Sequence, residues 1–112
     1  MIKVNILGST WKIRYQTIDQ NKTLNTCDGY TDASVKTIVI RRYRKKEHEV
    51  VNINEIYMEN IRHEIMHAFM FESGLWVNTN SSNAWSMNEE MIDWFAKQSP
   101  KIYKVYKKLE VI

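Results

Sequence analysis

The chain has 112 residues, a formal net charge of +3, 44% hydrophobic residues and 26% charged residues, which is typical of one globular domain spanning 1–112 and argues against global disorder. The single cysteine, Cys27, excludes an intrachain disulfide, and no stretch approaches the ~18 apolar residues of a membrane span. The first eight residues also lack the apolar run of a secretory signal, so we expect a cytoplasmic protein without a membrane partner.

The first third of the chain predicts β-strands. Apolar and polar residues alternate in Ile2–Ile6 and again in Trp11–Tyr15, and Gly8-Ser9 between them suits a two-residue hairpin turn. Val35–Arg41 is rich in β-branched residues and predicts a third strand. Asp28-Gly29 is a further turn signal within the polar stretch that separates the second strand from the third.

A long helix is predicted in the middle of the chain. Good helix formers run from Asn52 to Ser73 without glycine or proline, and Asn52 with Glu55 has the spacing of an N-terminal capping pair. Gly74 stands where a helix C-cap belongs, and a polar loop over 78–83 follows.

Two further helices are predicted after this loop. Ser86 and Glu89 have the spacing of a capping pair and predict a helix to about Gln98. Ser99-Pro100 predicts the start of a last helix, because proline is favoured at the first helical position. Strands followed by helices predict an α+β fold: a small, mostly antiparallel sheet packed on the long helix, with two further helices.

The informative motif is His63-Glu64-Ile65-Met66-His67, which lies inside the long predicted helix. Residues four apart share a helix face, so both imidazoles can reach one metal ion, and neutral imidazole suits Zn²⁺. Glu64 is placed to act as general base toward a zinc-activated water. The competing interpretation is that these are ordinary structural residues, which is the commoner case for any single histidine.

A catalytic zinc site needs a third protein ligand, and two glutamates compete for that role. On a helical wheel, Glu89 lies at the border of the apolar arc formed by its own helix, whereas Glu90 lies opposite the arc. We therefore expect Glu89 to be the third zinc ligand, with Glu90 as the second candidate. The competing interpretation is that Glu89 only completes the capping pair with Ser86. Asp93, one turn beyond Glu89, either orients His63 through its second ring nitrogen or is a surface residue.

The two motif regions together resemble a known family. His63-Glu64-Ile65-Met66-His67 followed by Asn88-Glu89 and Asp93 is similar to the gluzincin pattern, HExxH then NExxxD. The longer phrases around them resemble small phage-type zincin-like proteins, in the style of SprT-like and ImmA/IrrE-like metallopeptidases. This resemblance implies a minimal zincin-like fold, Glu89 as third zinc ligand and Asp93 as support for His63.

The resemblance implies a zinc-dependent metallopeptidase acting on a cytoplasmic protein or peptide. The residues do not select a tyrosine that assists the transition state, and they leave a non-catalytic metal-binding module as an alternative. A nucleic-acid-associated module is a second, less favoured alternative, because basic residues cluster but acidic ones are spread among them. The two basic clusters are Arg41, Arg42, Arg44, Lys45 and Lys46, and then Lys97, Lys101, Lys104, Lys107 and Lys108.

Overall fold

The computed structural model describes residues 1–78 and 84–112, and the predicted α+β class is confirmed there. Residues 79–83 of the predicted polar loop lie outside the described part. Among the described residues, none of the helices has the length and apolar character needed to cross a membrane. The elements in chain order are the strands β1 (Ile2–Ile6), β2 (Ser9–Gln16), β3 (Gly29–Asp32) and β4 (Thr37–Arg41), then the helices α1 (Ile53–Glu72) and α2 (Glu89–Lys108).

The four strands form one mixed sheet in the order β1-β2-β4-β3. The outer pairings, β1 with β2 and β3 with β4, are antiparallel, whereas β2 and β4 run parallel in the centre. Two of the three pairings are thus antiparallel, in line with the expected mostly antiparallel sheet, and the parallel pairing in the centre was not predicted. The sequence also did not predict β3, which lies in a polar stretch without the alternating pattern of a half-buried strand.

The first hairpin turn lies one residue earlier than predicted. Ser9 already pairs with Ile6, and the two turn residues are Leu7 and Gly8. Both have positive φ, 50° and 94°, as two-residue hairpins with a type I′ turn require. Glycine adopts such angles at no steric cost, which explains its place here.

The core lies between one face of the sheet and α1. Trp11 and Ile13 of β2, with Ile38 and Ile40 of β4, are buried in one cluster against Ala68 of α1. The indole N–H of Trp11 also donates to the Glu72 carboxylate, 2.8 Å away at the end of α1. Burial of these branched and aromatic side chains fixes α1 across the sheet.

The predicted ends of α1 agree with the structure, but the capping detail at its start differs. Asn52 precedes the helix, yet its side chain makes no capping hydrogen bond among the described residues. At the other end, Gly74 has a φ of 85° directly after the last turn. The Gly74 N–H donates to the carbonyl of Phe71 at 3.1 Å, so the predicted glycine stop is confirmed.

The prediction of two further helices was wrong, because they form the single helix α2. Asn88 caps its start by accepting a hydrogen bond from the Met91 N–H at 2.8 Å, whereas Ser86, the predicted cap, is buried in a short 3₁₀ turn, Trp85–Met87. Pro100 lies inside α2 and cannot donate to the carbonyl of Ala96, four residues earlier. Arg62 of α1 donates its Nε–H to that carbonyl instead, which offsets the loss.

We expect the Arg62 side chain to be needed only because Pro100 is present. Arg62→Met keeps the aliphatic stem but leaves the Ala96 carbonyl without a donor, so it should cost about 1–3 kcal/mol of unfolding free energy. In a Pro100→Ala background the residue-100 N–H can bond that carbonyl, and the same change should cost far less. Denaturant unfolding of the four proteins in this double-mutant cycle measures the difference. Equal costs in both backgrounds would contradict this role.

Glu47 pairs with two residues of the first basic cluster, Arg41 and Arg44. Its carboxylate contacts Arg41 Nη2 at 3.0 Å and accepts hydrogen bonds from the N–H of Arg44 at 2.8 Å and from Arg44 Nε at 3.1 Å. The Arg44 backbone hydrogen bond is the main cause that lowers the pKa of Glu47 to about 2, and both guanidinium groups add to it. Arg44 also pairs with Asp19 at 3.0 Å. Arg41 and Arg44, two of the five basic residues of this cluster, thus belong to a local ion-pair network.

This lowered pKa predicts a pH dependence of stability. A carboxylate with a depressed folded pKa stabilises the fold above its ordinary value of ~4.3, and the contribution is lost as the pH falls toward 2. We expect Glu47→Gln to be less stable than the parent protein at pH 7, with the difference shrinking between about pH 5 and 2. Chemical unfolding across that range measures it, with the exposed neighbour Glu49→Gln as control. A difference that stays constant across that pH range would contradict the assignment.

Candidate metal centre

Helix α1 brings the two motif histidines together. His63 and His67 lie one turn apart, so both rings project from the same face beside the start of α2. Their Nε2 atoms are 3.2 Å apart, and the rings meet at 72° with centroids 4.9 Å apart. The two nitrogens therefore point at the same small volume.

Glu89, in the first turn of α2, completes a three-residue cluster with these histidines. One carboxylate oxygen lies 2.9 Å from Nε2 of His63 and the other lies 3.0 Å from Nε2 of His67. Glu90 does not join them: it lines a separate surface cavity of about 860 Å³ along α2 with Trp94. Of the two candidate glutamates, Glu89 is the one that lies beside both rings.

Asp93 contacts the far side of the first histidine ring. Its Oδ1 is 2.6 Å from Nδ1 of His63. A carboxylate only accepts hydrogen bonds, so Nδ1 is the protonated nitrogen when His63 is neutral. The Nε2 lone pair of His63 then faces the Glu89 carboxylate, which is also an electron-pair donor. Asp93 thereby fixes both the ring orientation and the tautomer of His63.

His67 is held differently. Its ring stacks on Trp76, with centroids 6.2 Å apart and planes at 18°, and the side chain is buried. Nδ1 of His67 has no hydrogen-bond partner among the described residues. Burial, partly opposed by the nearby Glu89 charge, lowers the pKa of His67. The lowered pKa favours the neutral ring, which is the form that binds metal ions.

Glu64 lies behind the histidines with only 6% of its surface exposed. The hydroxyl of Thr31 in β3 is 3.0 Å from its Oε1 and also 3.0 Å from its backbone carbonyl oxygen. Oε2 is 3.8 Å from Nε2 of His63. Burial is the main cause that raises the pKa of Glu64, while the His63 ring and the Thr31 hydrogen bond oppose it. A raised pKa makes this carboxylate a better proton acceptor.

The donor set fits Zn²⁺. With Zn–N bonds of about 2.0–2.1 Å, two tetrahedral ligand atoms are separated by roughly 3.3 Å, and the two Nε2 atoms are 3.2 Å apart. Two imidazole nitrogens and one carboxylate are also the ligand types of many catalytic zinc sites. A cation among them would relieve the repulsion between the His63 lone pair and the Glu89 carboxylate. The side chains present therefore suit a three-ligand zinc site.

Sequence patterns did not identify several residues around this cluster. Thr31, Trp76 and Met87 line a cavity of about 260 Å³ above the histidines, with Tyr30 also at its wall. Thr31 belongs to the unpredicted strand β3, and no motif connects any of these residues to the histidines. The sequence did not select among Tyr30, Tyr57, Tyr103 and Tyr106, and of these Tyr30 lines the cavity. Tyr57 contacts the Tyr43 backbone, and Tyr103 and Tyr106 are about half exposed on α2.

Comparison of the chain with protein-family models, curated proteins and solved structures finds no match. The motif residues and the local geometry of their side chains are therefore what indicate a function. These are His63, Glu64, His67, Glu89 and Asp93, together with Thr31 and Trp76 that support them.

Proposed function

We propose that the chain is a small, zincin-like, zinc-dependent metallopeptidase that hydrolyses peptide bonds in a protein of the cytoplasm. The observation that carries the proposal is the convergence of three ligand-type groups on one point. The Nε2 atoms of His63 and His67 and the Glu89 carboxylate lie within 3.2 Å of one another. Structural zinc sites usually use four protein ligands, whereas catalytic sites use three and keep one position open.

The chain's own residues have separable roles in this chemistry. Bound Zn²⁺ would act as a Lewis acid that activates water and polarises a peptide carbonyl. Glu64 accepts the proton of the attacking water and passes it to the leaving amine, a transfer suited to a buried carboxylate with a raised pKa. Thr31 holds one oxygen of Glu64, leaving the other oxygen on the His63 side. Asp93 keeps the His63 ring in the ligating tautomer.

A peptide substrate is favoured by the strand that borders the cluster. β3 is at the edge of the sheet, and no strand of the described part pairs with its outer side. Arg41 N–H donates to the carbonyl of Asp28 at 2.9 Å, and backbone groups alternate in direction along an antiparallel strand. Gly29 and Thr31 therefore present their N–H and C=O groups to the open edge. An extended peptide can pair with such an edge, beside Glu64.

The two alternative functions, a non-catalytic metal-binding module and a nucleic-acid-associated module, explain fewer of the contacts around the histidines. A non-catalytic metal-binding module has no use for Glu64, a buried carboxylate beside the ligands with a raised pKa. A nucleic-acid-associated module would use the two basic clusters and would leave the contacts among His63, Glu64 and His67 unexplained. Arg41 and Arg44 of the first cluster are also engaged by Glu47 and Asp19. The geometry therefore favours hydrolysis over both.

Cleavage of an unfolded protein or a peptide library by the zinc-loaded chain tests this proposal. Products should form with zinc and disappear after chelation, and the Glu64→Gln variant should produce almost none. Zinc binding without cleavage by the parent protein, on any peptide tried, would favour the non-catalytic metal-binding module.

A further inference from the structure

The C-terminal half of α2 carries an apolar stripe that the described part of the chain leaves largely uncovered. At 100° per residue, four side chains fall within an arc of about 100° on this helix. We call them the α2 stripe: Ile102, Val105, Tyr106 and Leu109. Val105 and Leu109 are 55% and 65% exposed and Tyr106 is 48% exposed, whereas Ile102 is partly buried. This pattern is typical of a helix that covers a core, yet here the apolar side faces outward.

Lysines occupy the opposite side of the same helix. All five lysines between 97 and 108 fall within an arc of about 120°, facing away from the α2 stripe. No acidic residue lies between Asp93 and Glu110. Lys97 lies 3.9 Å from Glu59, and none of the other four forms an ion pair among the described residues. Apolar and cationic surfaces are therefore cleanly separated on one short helical segment.

We propose that this segment docks on an anionic lipid surface. Helices that lie in a bilayer interface combine an apolar face with a lysine-rich polar face, as this one does. Clusters of 4–8 basic residues on an amphipathic helix are typical of binding to acidic phospholipids. Tyr103 and Tyr106 add aromatic rings with polar ends, which favour the headgroup region. The inference goes beyond the proposed function. It concerns binding at a membrane surface, whereas the expectation of no membrane partner was based on spanning and secretory segments.

Other occupants fit the segment less well. A stable protein–protein interface takes roughly 20–30 residues from each side, whereas the α2 stripe offers four. Nucleic acid would use the lysines but cover no apolar side chain. A bilayer interface can bind the apolar stripe and the lysines at the same time, and it needs no complementary protein surface. We therefore expect reversible binding to the bilayer through this short segment.

Co-sedimentation with vesicles tests this inference. The parent protein should bind vesicles of phosphatidylcholine with 30 mol% phosphatidylglycerol and bind pure phosphatidylcholine at least tenfold more weakly, with binding falling as salt rises. Val105→Ser with Leu109→Ser should reduce binding at least tenfold. The matched control changes two exposed valines elsewhere, Val35→Ser with Val51→Ser, and should bind like the parent. Circular dichroism verifies that each variant is folded.

Three results would overturn the inference. Absence of binding to either vesicle is the first, and equal losses in the stripe variant and the control are the second. The third is a concentration-dependent dimer in sedimentation velocity that the Val105→Ser and Leu109→Ser changes dissolve, since a second copy of the chain would then be the occupant. None of these results bears on zinc binding or cleavage, so the inference and the proposed function can fail separately.

Discussion

Replacing Glu64 by glutamine should leave zinc binding intact and lower peptide cleavage by about 10²–10⁴-fold, the usual contribution of a general acid–base group. The amide has the same shape and can still accept the Thr31 hydrogen bond, so the fold is preserved. What it loses is the ability to take a proton from water. Initial rates of the parent and the variant on the same peptide, at equal zinc occupancy, measure the effect.

A matched control separates loss of the base from a general effect of neutralising a carboxylate on α1. Glu55→Gln makes the same chemical change on the same helix, in its exposed first turn. We expect it to cleave at the parent rate. If Glu64→Gln retained most of the activity, the base would have to be another group and the proposed role of Glu64 would be wrong.

Zinc affinity should fall in a graded series across three carboxylates of α2. Glu89→Ala removes a proposed ligand and should weaken zinc binding by more than about 100-fold, beyond the 10–100-fold typical of an outer-shell change. Asp93→Asn keeps the shape but weakens the hydrogen bond to His63, so a loss of about 10–100-fold is expected. Glu90→Ala should have no effect, because Glu90 lies apart from the histidines. Competition with a zinc-binding dye gives the three dissociation constants.

Glu90 is a close control for Glu89. Both lie in the first turn of α2 and interact similarly with the helix dipole, so their removal should change helix stability by similar, small amounts. If Glu90→Ala weakened zinc binding as much as Glu89→Ala, the assignment of Glu89 over Glu90 as the third ligand would be contradicted.

The position of the candidate ligands on their helices could be predicted because it depends on local periodicity. Residues four apart share a helix face whatever the tertiary structure, so His63 and His67 had to point together once α1 formed. The same wheel distinguished Glu89 from Glu90, because the apolar side of α2 has to face α1. Ile92 and Ala96, two residues of that side, are fully buried.

The contacts between distant segments could not be predicted in the same way. β3 is short and polar, and its pairing depends on β4 rather than on its own sequence. Thr31 therefore reaches Glu64 through a strand that no pattern indicates. Pro100 misled the helix prediction because its lost hydrogen bond is offset by Arg62, 38 positions earlier in the chain. Sequence patterns report the local preference for helix or strand. Tertiary contacts override that preference at β3 and at Pro100.

The most direct test of the proposed zinc site is the metal content of the protein purified without added metal, measured by mass spectrometry beside His63→Ala and Glu89→Ala. About one zinc per chain in the parent, and almost none in either variant, is the expected result. A parent protein that holds no zinc and takes up none on titration would contradict the metal site, and the metallopeptidase proposal with it.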